Sequence, residues 1–357
     1  MVSKSGEQPA QVNTFEEEVI MQISHLSRPV RWTAAFALVG GLLVGTADAQ
    51  EFELKVSHFL PPNHTFHKEL LRWGDDLAKK SNGRLVLKVF PAGQMGPPPR
   101  QFDLVRTGVA DIAIGLTGST PGRFPLTEIS NLPFMVNQSA KSSKALTELA
   151  PKYLAPEFAG VKILYLMTTT PLKFHMASKQ LNTMADFKGL RIRYAGEIFA
   201  ESVKAFGAVP LAVQPGDVVD AMSKGTIDGA LFPFEGAQSF QVGTVAKYSY
   251  EPGVNAASFF FVMNPGSYEK LPPDLRALID QTTGPAGAER MGKLLDDAEV
   301  EGRAYMTAKG VQIIPFSAAT QAEMQAAVKP IVDDTIGKLE AKGQPARAIY
   351  DGLQKAR

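Results

Sequence analysis

Arg191 and Arg193 stand two residues apart in Gly189-Leu190-Arg191-Ile192-Arg193-Tyr194, where Leu190, Ile192 and Tyr194 alternate with them at the period of a half-buried strand. Two guanidinium groups on one strand face need water or an anion, because an unpaired buried charge is expensive. A solvated edge face, an internal partner such as Glu197, and a bound anion all satisfy the pattern. If the anion is a ligand, a carboxylate suits it, since a planar guanidinium fork grips one through two parallel hydrogen bonds. A second polar group comprises His58, Asn63, His64 and His67. His64 and His67 have i, i+3 spacing, but only Glu69 stands near as a carboxylate, so the set falls short of a zinc signature and no metal or cofactor is expected. Neutral hydrogen bonding to a ligand from His58, Asn63 or His64 competes with simple packing of these side chains. Catalysis finds little support. There is no cysteine, no GxSxG turn and no HExxH, and the carboxylates are scattered, so an enzyme is not expected.

The chain has 357 residues, 45% hydrophobic and 20% charged, enough for two lobes that each bury a core. A net charge of +1 gives no reason to expect nucleic acid as a partner. Alternation predicts strands over Glu51–His58, Leu85–Phe90, Gly108–Ile114, Val161–Met167, Phe174–Ala177, Leu190–Tyr194, Gly207–Leu211, Gly225–Ala230 and Phe259–Met263, with a last one at Val311–Ile314. Helical spacing appears over Thr65–Lys80, with Thr65 as the N-cap, then around Phe102, Ile198 and Val218. A largely helical stretch follows over Pro273–Ala308, and two amphipathic helices occupy about 319–341 and 345–356. The expected fold class is therefore α/β in two lobes, with the chain leaving the first, building the second and coming back. Open α/β sheets bind ligands at the carboxyl ends of their strands, which places a cleft at the hinge and lets Arg193, late in its strand, face it.

Near the N-terminus, Arg28 and Arg31 precede a short apolar run from Trp32 to Val44 that ends at Ala47-Asp48-Ala49. This reads as a cleavable secretory signal over about 21–49, too short to span a bilayer, with residues 1–20 an extension ahead of it and Met21 the more usual initiator. With no cysteine there is neither a disulfide framework nor a lipid-modified Cys at the cleavage point. A soluble protein of a Gram-negative periplasm is expected. The lobe boundaries are placed at 50–170 plus 258–296 for the first lobe and 171–257 plus 297–357 for the second.

Five segments carry a family resemblance: Phe90-Pro91-Ala92-Gly93-Gln94-Met95-Gly96, Gly108-Val109-Ala110-Asp111, Asp186–Arg193, Gly225-Thr226-Ile227-Asp228-Gly229 and Tyr268-Glu269-Lys270-Leu271-Pro272. Taken in this order, they resemble the DctP-type solute-binding subunit of TRAP (tripartite ATP-independent periplasmic) transporters over nearly all of the mature chain. The resemblance implies a periplasmic binding protein clamp, with a long helix spanning both lobes that suits Pro273–Ala308. It implies capture of a small organic acid as a monomer and delivery to membrane permease subunits driven by a cation gradient. It also implies that Arg193, which ends the G-L-x-I-R motif, clamps the ligand carboxylate, while Arg191 is solvated or structural. Lys173 falls near a position where sialic acid-binding members carry a second arginine, and Phe232 stands where those members have an asparagine. A phenyl ring removes hydrogen bonding and adds an apolar wall, which Phe174 and Phe59 would extend, so a monocarboxylate with an aromatic or aliphatic body fits better than a hydroxylated sugar acid. Glu235 either carries charge into the cleft or pairs with Arg193. Two rival functions remain: a carboxylate-sensing protein serving a receptor or an ATP-driven importer, and a secreted hydrolase or lyase.

Overall fold

A computed structural model of the protein describes residues 52–357; the extension and signal expected over 1–49 lie outside the described residues. The chain opens with β1 (Phe52–His58), α1 (Thr65–Lys80), β2 (Leu85–Phe90), α2 (Gln101–Arg106), β3 (Ile112–Leu116), α3 (Ser139–Leu149) and β4 (Lys162–Thr168). It then crosses to β5 (Lys173–Met176), β6 (Arg191–Tyr194), α4 (Glu197–Ala205), β7 (Val209–Ala212), α5 (Val218–Ser223), β8 (Gly229–Phe232), α6 (Phe234–Ser239) and β9 (Tyr248–Glu251). After β10 (Ser258–Met263) come α7 (Pro265–Glu269), α8 (Pro273–Thr282), α9 (Gly284–Ala308), β11 (Gln312–Pro315), α10 (Ala318–Glu340) and α11 (Ala346–Gln354).

Two mixed sheets result. The first has the order β2-β1-β3-β10-β4, with β1 parallel to both neighbours and β10 antiparallel to β3 and β4. The second has the order β11-β9-β5-β8-β6-β7, with β6 parallel to β7 and β8 and β5 antiparallel to β8 and β9. Every residue of β10 is buried, as its continuous apolar run requires of a strand between two others with layers on both faces. In α1, Phe66, Leu70, Trp73 and Leu77 form the buried stripe, as the spacing predicts. Its N-cap is His64 rather than Thr65, and the imidazole Nδ1 accepts from the Phe66 amide at 3.2 Å.

The spanning helix is α9 alone. Thr283 is extended (φ −114°, ψ −156°), because Pro285 has no N–H to continue α8 and its ring opposes the carbonyl one turn back. With 25 residues, α9 is about 38 Å long. It packs on α3 in the first lobe and on α6 in the second, and both approaches depend on glycine. A Cβ at Gly292 would lie 2.5 Å from Ala140 Cα, and one at Gly302 would lie 2.4 Å from the Phe234 backbone.

Two features depart from expectation. Helix α3 is absent from the periodic pattern because its buried face is Ser139, Ser142, Ser143, Leu146 and Thr147 rather than an apolar stripe. Those hydroxyls bond to strand β4, for example Thr147 Oγ1 to the Leu166 carbonyl at 2.8 Å and the Thr168 amide to Ser143 Oγ at 2.9 Å. The C-terminal tail, expected in the second lobe, packs on the first. Ile336, Leu339, Ile349 and Leu353 share a core with Phe102, Phe124, Leu146 and Phe158, so the chain crosses once more along α10. No described helix is long and apolar enough to cross a membrane.

Candidate functional site

Strand β6 lies between β7 and β8, with Arg193 opposite Leu211 and Ala230. An interior strand position with apolar neighbours buries the side chain, and Arg193 is 3% exposed. Its Nε donates to the Val213 carbonyl at 3.0 Å and its Nη1 to the Leu231 carbonyl at 3.1 Å. The guanidinium carbon sits 4.4 Å from the centre of the Phe232 ring. Among the described residues no carboxylate approaches it within ion-pair distance. Burial alone pushes its pKa down to about 9, which still leaves it protonated at neutral pH. The two carbonyls fix the fork and leave Nη2 without a hydrogen-bond partner among the described residues.

Arg191 has a different task. Its Nε and Nη2 grip Asp228 Oδ2 and Oδ1 at 3.0 and 2.9 Å, and its amide donates to Oδ2 at 2.8 Å. This half-exposed pair fastens β6 to the turn entering β8, which is the structural reading of that arginine.

Arg193 borders a cavity of about 50 Å³, several times the space one water requires. Phe59, Leu231, Phe232, Phe240 and Phe259 supply its apolar wall, and His64 and Glu235 its polar end. A wider pocket of about 230 Å³, lined by Ser119, Tyr194, Glu197 and Gln214, also borders Arg193 and shares Leu116, Ala195 and Pro215 with the cavity. Both lobes contribute, and the cleft between them is closed. Thr65 Oγ1 and the Thr65 amide donate to Glu235 Oε1 at 2.8 and 3.1 Å, and Asn63 Nδ2 donates to the Ser239 carbonyl at 3.0 Å. At the mouth, the backbone of Gly118 lies directly against Ala195 and Gly196.

Of the side chains singled out from sequence, Arg193, Phe232, His64, Glu235 and Phe59 meet at this cavity. Glu235 does not pair with Arg193; it joins the lobes. Four others lie elsewhere. Lys173 pairs across strands with Phe232 and so shares its sheet face, but its Nζ is hydrogen-bonded to Glu299 of α9 and stands 5.1 Å from the centre of the Phe234 ring. Phe174 is core, packed edge-on against Phe187, Phe206 and Phe316. His58 is buried: its Nδ1 accepts from the Leu60 amide at 3.2 Å, and its Nε2 meets His67 Nδ1 at 3.0 Å. Burial, with the neighbouring His67, pushes His58 down to about 3, so it is a neutral structural link. Asn63 bonds across the cleft rather than into the cavity. Among the described residues no group of three or more His, Asp or Glu is placed to hold a metal ion. Phe240 and Phe259 are site residues that sequence reasoning missed. Phe259 belongs to a run that reads only as core, and Phe240 follows a six-residue helix with no periodic signal.

Glu128, beside the cleft in the first lobe, is 7% exposed with no hydrogen-bond partner for Oε1. Burial, then Glu197 of α4 and Glu157, push its carboxyl up to about 8. A folded-state value above the unfolded one gives stability that is complete below the unfolded pKa and is lost as pH rises toward the folded value. Glu128→Gln removes that loss. The stability advantage of the variant over wild type should therefore grow by about 2 kcal/mol between pH 6 and pH 8. Urea unfolding of both proteins at the two pH values measures it, and an advantage independent of pH would show that Glu128 titrates normally.

Two α/β sheets joined by crossing segments and a spanning helix, closed over an apolar cavity, define a two-lobed binding clamp. The chain belongs to the DctP family, bacterial extracellular solute-binding protein family 7, whose model matches residues 56–338. It is similar to a TRAP solute-binding protein of Rhodoferax ferrireducens T118 in complex with copurified benzoate, at 30% identity over 85% of this chain and 97% of that one, TM-score 0.82. The same identity and TM-score, over 86% and 98%, relate it to a marine metagenome TRAP protein specific for aromatic acid ligands, in complex with 3-hydroxybenzoate. A Bordetella bronchiseptica TRAP protein with bound (R)- and (S)-mandelate is 27% identical over 85% and 98%, TM-score 0.80. These relatives are solute-binding proteins rather than enzymes, and their ligands are small organic acids.

Proposed function

We propose that this TRAP solute-binding protein captures a small aromatic monocarboxylate in the periplasm and delivers it to the permease subunits of a cation-gradient-driven transporter. The observation that carries the reading is Arg193: a buried cation with no carboxylate partner among the described residues, stacked on Phe232 at the wall of an apolar interlobe cavity. A ligand carboxylate supplies the missing anion and accepts from the fork, while the ring of the acid lies among Phe59, Phe232 and Phe259. Binding to both lobes favours the closed form by the contacts the ligand makes only there. The aromatic acids bound by the 30% identical relatives support the ligand class. Lys173, held by Glu299, takes no part, and neither does Phe174.

A thermal-shift screen tests the reading. Benzoate and hydroxybenzoates at 100 times their Kd raise stability by about 2.7 kcal/mol, visible as a higher Tm, whereas succinate and a sugar acid do not. If no aromatic acid shifts the Tm, the ligand class is wrong. Reconstituted uptake with a TRAP permease tests delivery separately.

A further inference from the structure

We propose that Glu235 restricts the site to monocarboxylates, admitting a hydrogen-bond donor at the far end of the ligand and rejecting a second carboxylate there. The inference rests on Arg193 holding the first carboxylate. Glu235 is the second residue of α6, is 4% exposed and lines the same cavity as Arg193 without pairing with it. Its protein donors all converge on Oε1: the Thr65 amide at 3.1 Å, Thr65 Oγ1 at 2.8 Å and Ser239 Oγ at 3.2 Å. His64 Nδ1, 3.4 Å from that oxygen, accepts from the Phe66 amide instead, so the ring is neutral with its proton on Nε2. Burial pushes the imidazole down, which keeps it uncharged at neutral pH. Oε2 is left with no hydrogen bond from any described residue. Of the two lysines nearby among the described residues, Lys173 is already committed to Glu299, whose other oxygen holds the Glu235 amide at 3.1 Å, and Lys68, felt at His64, is exposed and makes no ion pair with Glu235.

The far end of the cavity is thus an anionic acceptor that no lysine or arginine among the described residues pairs with. A ligand hydroxyl or amine gives Oε2 the donor it lacks. A second carboxylate meets like charge in a desolvated space, offset only by a neutral imidazole N–H, and discrimination comes from that repulsion as much as from attraction for the preferred ligand.

Calorimetric titration of the full chain with benzoate, 3-hydroxybenzoate and isophthalate, in wild type and Glu235→Gln, tests the assignment. Glutamine keeps an oxygen for the Thr65 donors and removes the charge. In the wild type, isophthalate should bind roughly 30-fold or more weaker than benzoate, and the variant should narrow that gap at least about fivefold. A smaller gap in the wild type overturns the proposal without any variant, and so does a gap that Glu235→Gln leaves unchanged. If wild type binds no benzoate at all, the aromatic-acid reading itself falls and takes this inference with it.

Discussion

Arg193→Ala should abolish useful capture of an aromatic carboxylate, with a loss of about 2–5 kcal/mol in binding free energy, roughly 30-fold to several thousandfold in Kd. The size follows from what the alanine leaves behind. The ligand carboxylate would enter an apolar, closed cavity with no cation to receive it, and a desolvated unpaired charge is among the costliest errors a site can make. The empty protein should tolerate the change far better. Its buried guanidinium has no ionic partner to lose, only two carbonyls, Val213 and Leu231, and the stack on Phe232. Affinity and stability should therefore separate: Kd collapses while the melt of the unliganded protein moves little. Arg193→Lys should fall between, since an ammonium keeps the charge but not the fork that those two carbonyls aim. Calorimetry with benzoate decides it, and wild-type affinity in the alanine variant would remove the clamp from the proposal.

Arg193 was legible because several levels of pattern agree on it. Strand alternation places it beside Ile192, the chain order puts its strand end at a cleft, and a family motif ends on it. Phe232 was legible for the same reason, through its position after the Asp228-Gly229 turn. Phe174 was not, because sequence near a short strand does not say which sheet face looks into the cleft, and Lys173 was not, because it shares the face of Phe232 yet is drawn off by a distant partner. Phe174 points into the second-lobe core, and Lys173 toward Glu299, a residue 126 positions away. The histidines show a related limit. His58 and His64 look alike in sequence, yet one is locked between Leu60 and His67 and the other reaches the cavity. In the fold, helices with apolar stripes were found, whereas α3, held by hydroxyls against β4, carries no hydrophobic period to find. Strand β9, Tyr248-Ser249-Tyr250-Glu251, was missed because, unlike the other four-residue strands, it carries no aliphatic or methionine side chain to mark a buried face. The tail on the first lobe was misplaced because an amphipathic helix announces that it packs, not on what.

Gly118→Val should stop the clamp from closing, and with it most of the affinity, without touching the cavity. A Cβ on Gly118 would lie 2.5 Å from the Ala195 carbonyl oxygen and 2.9 Å from Gly196 Cα. Both are backbone atoms of the opposite lobe, so no rotamer change relieves the overlap; only separation of the lobes does. The backbone of Gly118 itself needs no left-handed conformation, so valine folds locally and the strain appears only on closure. The open form keeps Arg193 and Phe232 on the second lobe but withdraws Phe59, Phe259 and the Thr65–Glu235 bonds contributed across the cleft. A ligand that binds the closed form has its apparent affinity reduced by the fraction of closed form that remains, so a closed population of about 1% costs about 100-fold in Kd. Small-angle scattering separates this from a damaged site. Wild type should contract when benzoate is added, whereas Gly118→Val should hold the open dimensions in saturating ligand and keep its unliganded melting temperature. Contraction of the variant with wild-type affinity would mean that the Gly118–Gly196 contact is incidental to closure, and that the Glu235 and Asn63 bonds carry it instead.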